Sequence, residues 1–154
     1  MSQTAKTGPG ADKPQGHGGG CLCGAVRYEV RGKLRDALVC HCSMCQRTHG
    51  APAPYSAARN DDLRLVESRG LKWYRSSENA ERGFCQSCGA SLFWRPLNAD
   101  YTAIACGTLD QPSGVRSVAH IFLMDKGDYY TLTDGLPQFE RGTAGQLPDA
   151  KTVV

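Results

Sequence analysis

The chain has 154 residues, a net charge of +3 and a hydrophobic fraction of 40%, with a mean hydropathy of −0.41. That is material for one ordinary domain and too little for two comfortable ones. Lys and Arg are spread without a dense run, which argues against nucleic acid as the primary partner. No apolar run approaches the length of a membrane span, so no membrane partner is expected.

Residues 1–19 are rich in Gly and Pro and lack the apolar core of a signal peptide. They read as a flexible leader of a cytoplasmic protein, with His17 a solvated bystander. The folded domain is expected over residues 20–141 and a flexible tail over 142–154. Inside that domain the apolar residues alternate over short stretches, the period of strands. Strands are expected at 25–30, at 63–66 and 71–74 as a hairpin around Ser68-Arg69-Gly70, at 91–94, 101–106 and 120–123, and at 129–132. One short helix is expected over 43–49. The fold class is therefore mainly β, with little helix.

Seven of the eight cysteines fall in three clusters: Cys21-x-Cys23, Cys40-x-Cys42-x-x-Cys45 and Cys85-x-x-Cys88. A disulfide framework suits short secreted chains, and cysteines at this spacing are poorly placed to pair with each other, so metal ligation is the better reading. Cys85-Gln86-Ser87-Cys88-Gly89 is half of a zinc-ribbon knuckle, and Cys21-Leu22-Cys23-Gly24 is a tighter pair that also ends in glycine. Neither has enough ligands alone; joined, they make a closed site of four cysteines, a structural staple. Cys40, Cys42 and Cys45 offer three corners of a second tetrahedron from one loop. Its fourth corner is open to His41, His49, Cys106, water or a substrate. His41, between two ligands, would point away. An exchangeable position makes the bound ion a Lewis acid, whereas Cys106 as fourth ligand would close a second structural site. A lone Cys at the end of an apolar strand is otherwise a small buried hydrophobe.

The segments Gly19-Gly20-Cys21-Leu22-Cys23-Gly24-Ala25-Val26-Arg27-Tyr28, Cys40-His41-Cys42-Ser43-Met44-Cys45-Gln46-Arg47 and Phe84-Cys85-Gln86-Ser87-Cys88-Gly89 closely resemble the glutathione-dependent formaldehyde-activating enzyme family, whose superfamily includes centromere protein V. The stretch from His120 to Lys126 and Asp134-Gly135-Leu136-Pro137-Gln138-Phe139 is similar to that family's ending. The resemblance implies a zinc-ribbon-like β-tent fold of antiparallel sheets with two zinc ions per chain. Cys21, Cys23, Cys85 and Cys88 would hold the structural zinc, and Cys40, Cys42 and Cys45 a catalytic, exchangeable one. It implies a carbon–sulfur lyase that adds glutathione, or another small thiol, to formaldehyde or another small aldehyde. Arg47 and His49, and less so Arg59, are then candidates to contact glutathione. After Lys126 this chain carries Gly127-Asp128-Tyr129-Tyr130 in place of the Pro-Trp expected of the family. The alternative is a zinc-stabilised binding module related to centromere protein V, against which the absence of a basic tract in the leader counts. A redox-sensing thiol cluster is a third possibility.

Overall fold

The computed structural model describes residues 16–145. Among them are ten strands and one helix: β1 (His17–Gly20), β2 (Arg27–Val30), β3 (Ala37–Cys40), α1 (Ser43–His49), β4 (Ala53–Arg59), β5 (Leu63–Glu67), β6 (Leu71–Ser77), β7 (Ala80–Cys85), β8 (Ser91–Pro96), β9 (Tyr101–Ala105) and β10 (Ser117–Ile121). Short 3-10 turns cover Asn60–Asp62, Cys106–Thr108 and Leu123–Asp125. The strands form a three-stranded sheet, β1-β2-β5, and a seven-stranded sheet, β10-β3-β4-β9-β8-β7-β6. The fold is mainly β, as expected. Pairing is antiparallel with one exception: β10 lies parallel to β3 at the sheet edge. No helix among the described residues is long and apolar enough to cross a membrane.

The expected leader ends early. Residues 17–20 pair with β2, Gly19 opposite Tyr28, and Gly19 and Gly20 leave no space for a Cβ against Tyr28, Val26 and Arg27. Glycine here allows close packing rather than chain freedom. Residues 1–15 and 146–154 lie outside the described residues.

The expected hairpin of 63–66 with 71–74 does not form. β5 pairs with β2, Leu65 opposite Tyr28, whereas β6 pairs with β7, Trp73 opposite Gly83. Gly70 is where the chain leaves one sheet for the other: its N–H donates to Ala25 O at 2.9 Å and its carbonyl accepts from Gln86 N–H at 2.8 Å. The expected strand at 129–132 is also absent. Tyr130 instead anchors a compact loop, its carbonyl accepting from Lys126 Nζ at 2.5 Å. Strands β3, β4 and β7 were not anticipated. β7 reads Ala80-Glu81-Arg82-Gly83 and shows no apolar alternation, because one of its inward residues is an arginine.

The large sheet buries both faces. Residues directly opposite across strands share a face, and the register puts Phe93 beside Ile104 and Trp94 beside Ala103. Phe93, Ile104 and Ala58 pack against Tyr28 and Val30 of the small sheet and Val26 just before it, with Leu92 and Cys85 in the same cluster. Tyr28 meets Phe93 edge to face at 5.2 Å between ring centroids. The other face presents Tyr55, Ala103 and Ala105 to Cys45, with Cys40, Cys42 and Trp94 at the margin.

Candidate metal centres

Cys21 and Cys23 flank the turn between β1 and β2, and Cys85 and Cys88 the turn between β7 and β8. All four sulfurs lie within 4.8 Å of one another. Cys23 Sγ is 3.7 Å from Cys21 Sγ and 3.7 Å from Cys85 Sγ. A tetrahedron with metal–sulfur bonds of about 2.3 Å has edges of about 3.8 Å, so this donor set fits zinc. The peptide groups around the turns favour ionised sulfur. Val26 N–H donates to Cys21 Sγ at 3.2 Å, and backbone hydrogen bonds from Ala90 and Cys23 hold Cys88 down to about 6.

The second cluster sits where β3 runs into α1. Cys40 ends β3, Cys42 caps the helix by accepting from Cys45 N–H, and Cys45 is the buried residue of the helix. The helix stops at Gly50 in the left-handed conformation (φ 75°), whose N–H donates to Gln46 O. The three sulfurs lie within 4.8 Å of one another, and no fourth His, Cys, Asp or Glu ligand atom joins them among the described residues. Hydrogen bonds from Cys40 and Cys45 hold Cys42 down to about 2. The bond to Cys42 in turn pushes Cys40 far above the usual thiol range. Three ionised sulfurs this close need a positive ion among them, and the donor set suits zinc.

Residues 16–125 match the glutathione-dependent formaldehyde-activating enzyme family. The chain belongs to that family. An uncharacterized lyase of Schizosaccharomyces pombe is 26% identical to it over 125 residues, covering 79% of this chain and 88% of that protein. A Rhodobacter sphaeroides protein of known crystal structure is 34% identical with a TM-score of 0.52, over 63% of this chain and 91% of that one.

In this family member the structure brings the seven clustered cysteines into two groups and leaves Cys106 apart from both. Cys106 opens the 3-10 turn after β9, and burial pushes its thiol up. His41 is fully buried and turned away from the sulfurs. Its Nδ1 is hydrogen-bonded to Tyr130 OH and its Nε2 to His120 Nδ1 at 2.8 Å. His120 Nε2 in turn meets Asp134 Oδ2 at 2.9 Å. Gln46 Nε2 donates to the carbonyls of His41 at 2.6 Å and Asp125 at 2.7 Å. The C-terminal segment therefore braces the cysteine loop from behind.

Arg47 is exposed on α1, on the side away from Cys45. His49 is half-buried and hydrogen-bonded to Tyr55 OH at 2.8 Å. Arg59 pairs with Asp100 at 2.9 Å on the surface. Three residues beside the three-cysteine cluster were not anticipated from sequence: Tyr55, Tyr130 and Arg82. Arg82 is 7% exposed and its Nη2 lies 3.7 Å from Cys45 Sγ. Its only sequence signal is a charge in a stretch that also holds Ala80 and Gly83, and that signal becomes readable only once β7 is recognised as a strand.

Proposed function

We propose that this chain is a zinc-dependent carbon–sulfur lyase that reversibly joins glutathione to formaldehyde, forming S-(hydroxymethyl)glutathione, with one structural and one exchangeable zinc. The observation that carries this reading is the three-sulfur cluster with no fourth protein donor beside it among the described residues, in a family member whose Schizosaccharomyces pombe relative is named a lyase. Zinc bound there would supply a Lewis acid and hold a substrate sulfur in its thiolate form.

The chain's own residues supply rigidity and a dry wall. Cys40, Cys42 and Cys45 are the proposed ligands of the reaction centre. Tyr55, Ala103, Ala105 and Trp94 line their inner side. His41, held between His120 and Tyr130, fixes the loop that carries two of the three ligands. Arg47, exposed on the solvent side of α1 two residues after Cys45, is available to a glutathione carboxylate only if the peptide reaches around that helix. In the reaction the thiol sulfur bonds to the aldehyde carbon, the carbonyl π pair moves to oxygen, and that oxygen takes the proton the thiol gave up. No oxidant or reductant is needed. Holding both partners at one place makes the addition effectively unimolecular.

Formaldehyde also adds to thiols unaided, so the test is the rate above background. Exchange between free glutathione and its hydroxymethyl adduct, followed by NMR, accelerates with the zinc-loaded protein and returns to background with Cys42→Ser. Equal exchange with and without the protein would reject the reading. The binding-module alternative requires both sites closed and inert, and the missing fourth donor of the trio favours the enzyme.

A further inference from the structure

Arg82 is a buried cation without a carboxylate. It is 93% removed from solvent by its 7% exposure, its Nε and Nη1 have no hydrogen-bond partner, and no ion pair joins it to an acidic side chain among the described residues. Its Nη2 lies 3.7 Å from Cys45 Sγ, and the Tyr55 hydroxyl is a second polar neighbour. The sheet register holds it there. Arg82 stands opposite Trp94, Trp94 opposite Ala103, and both of those belong to the wall of the three-cysteine site. A buried guanidinium that lacks negative charge is strongly unfavourable. Among the described residues no carboxylate pairs with it, and the negative charge nearest to it is that of the cysteine sulfurs.

We propose that Arg82 is the countercharge of the three-cysteine site and makes its remaining position prefer an anionic sulfur donor over a neutral one. This rests on the exchangeable site proposed above and adds the residue that sets its choice of ligand. Three thiolates around a divalent cation carry one net negative charge. A neutral fourth donor leaves that charge at minus one, and a thiolate raises it to minus two. In a buried site the second negative charge is opposed unless a fixed positive charge stands beside it, and Arg82 brings the total back to minus one. A guanidinium suits this place because it stays charged in a dry environment. Arg82 acts on substrate through Cys45 and is a positioning residue, not a catalytic one.

The test uses the full-length protein loaded with cobalt(II), whose visible bands report the metal's ligands. Wild type, Arg82→Met and Arg82→Lys are each titrated at one pH with 2-mercaptoethanol, which coordinates as a thiolate, and with imidazole, a neutral donor. The ratio of thiol affinity to imidazole affinity falls at least ~10-fold in Arg82→Met, and Arg82→Lys, which keeps the charge, recovers most of it. An unchanged ratio in Arg82→Met, equal loss of both ligands, or wild-type bands that mercaptoethanol leaves unmoved would each overturn the proposal. Parallel titration with glutathione separates the two ideas. Bands that respond to mercaptoethanol but not to glutathione reject the glutathione reading and leave the role of Arg82 standing.

Discussion

Replacing Gly70 by alanine tests the staple between the two sheets. A Cβ on Gly70 would lie 2.7 Å from Ala25 Cβ, 2.9 Å from Cys85 Sγ and 3.2 Å from Ala25 O. Contacts to carbon settle at about 3.5–4.0 Å, so the overlap is roughly 0.6–1.3 Å. Neither neighbour has room to yield. Ala25 is 3% and Cys85 0% exposed, and Ala25 O is held by the Gly70 N–H at 2.9 Å. Metal–sulfur lengths tolerate only about ±0.2 Å, so a sulfur pushed by half an ångström no longer completes the four-cysteine site. Overpacking alone costs about 1–3 kcal/mol, a fall in Tm of roughly 4–12 °C for a domain of this size. Calorimetry should show that fall, and metal analysis should show one metal equivalent lost relative to wild type. Gly107→Ala, whose Cβ would meet nothing within 4 Å, is the matched control and should be near neutral. A Gly70→Ala protein that kept both metals and lost less than about 1 °C would refute the packing argument and the placing of Cys85 in that site.

Cys42→Ser should lose one metal equivalent with little loss of Tm, because serine still caps α1, whereas Cys85→Ser should fail to fold stably; isotope-dilution metal analysis with thermal melts checks both. Gly19→Ala should destabilise by about 1–3 kcal/mol, since its Cβ would overlap the Tyr28 ring and stand 2.6 Å from Thr108 O; urea denaturation measures it, and a neutral result would place residues 17–20 outside the sheet. Burial, with Arg82 adding to it, depresses His49 below its ordinary 6.5. Its folded value lies under the unfolded one, so its contribution is complete above pH 6.5 and is lost as pH falls through the folded value. The stability gap between wild type and His49→Gln, read by urea denaturation at matched metal content, should therefore be widest at neutral pH and narrow below 6.5. A gap that widens on acidification would reverse the sign and refute the assignment.

Alternation exposed β2, where Tyr28 and Val30 are buried and Glu29 is exposed, and short apolar runs exposed β8 and β9, which are covered on both faces. It failed at β7, where Arg82 occupies an inward position and a bulge between Gly83 and Phe84 shifts the register. It misled at 63–74, where a turn-like Ser68-Arg69-Gly70 joins two strands that belong to different sheets. A local turn signal carries no information about which sheet receives the next strand. That choice depends on the burial of Gly70 between Ala25 and Cys85, two residues far apart in the chain.

The sequence by itself picked out the clustered cysteines and their division into four and three, which the two sulfur groups of the structure repeat. Spacings of one and two residues constrain sulfurs to one side of a tight turn, and counting seven into four and three needs no coordinates. It also placed α1 at 43–49. Only the tertiary structure decided what surrounds those sulfurs. His41 reaches His120 across 79 positions and Arg82 reaches Cys45 across 37. Such contacts are set by strand register and by burial of both partners at once, and neither quantity exists until the sheets have closed.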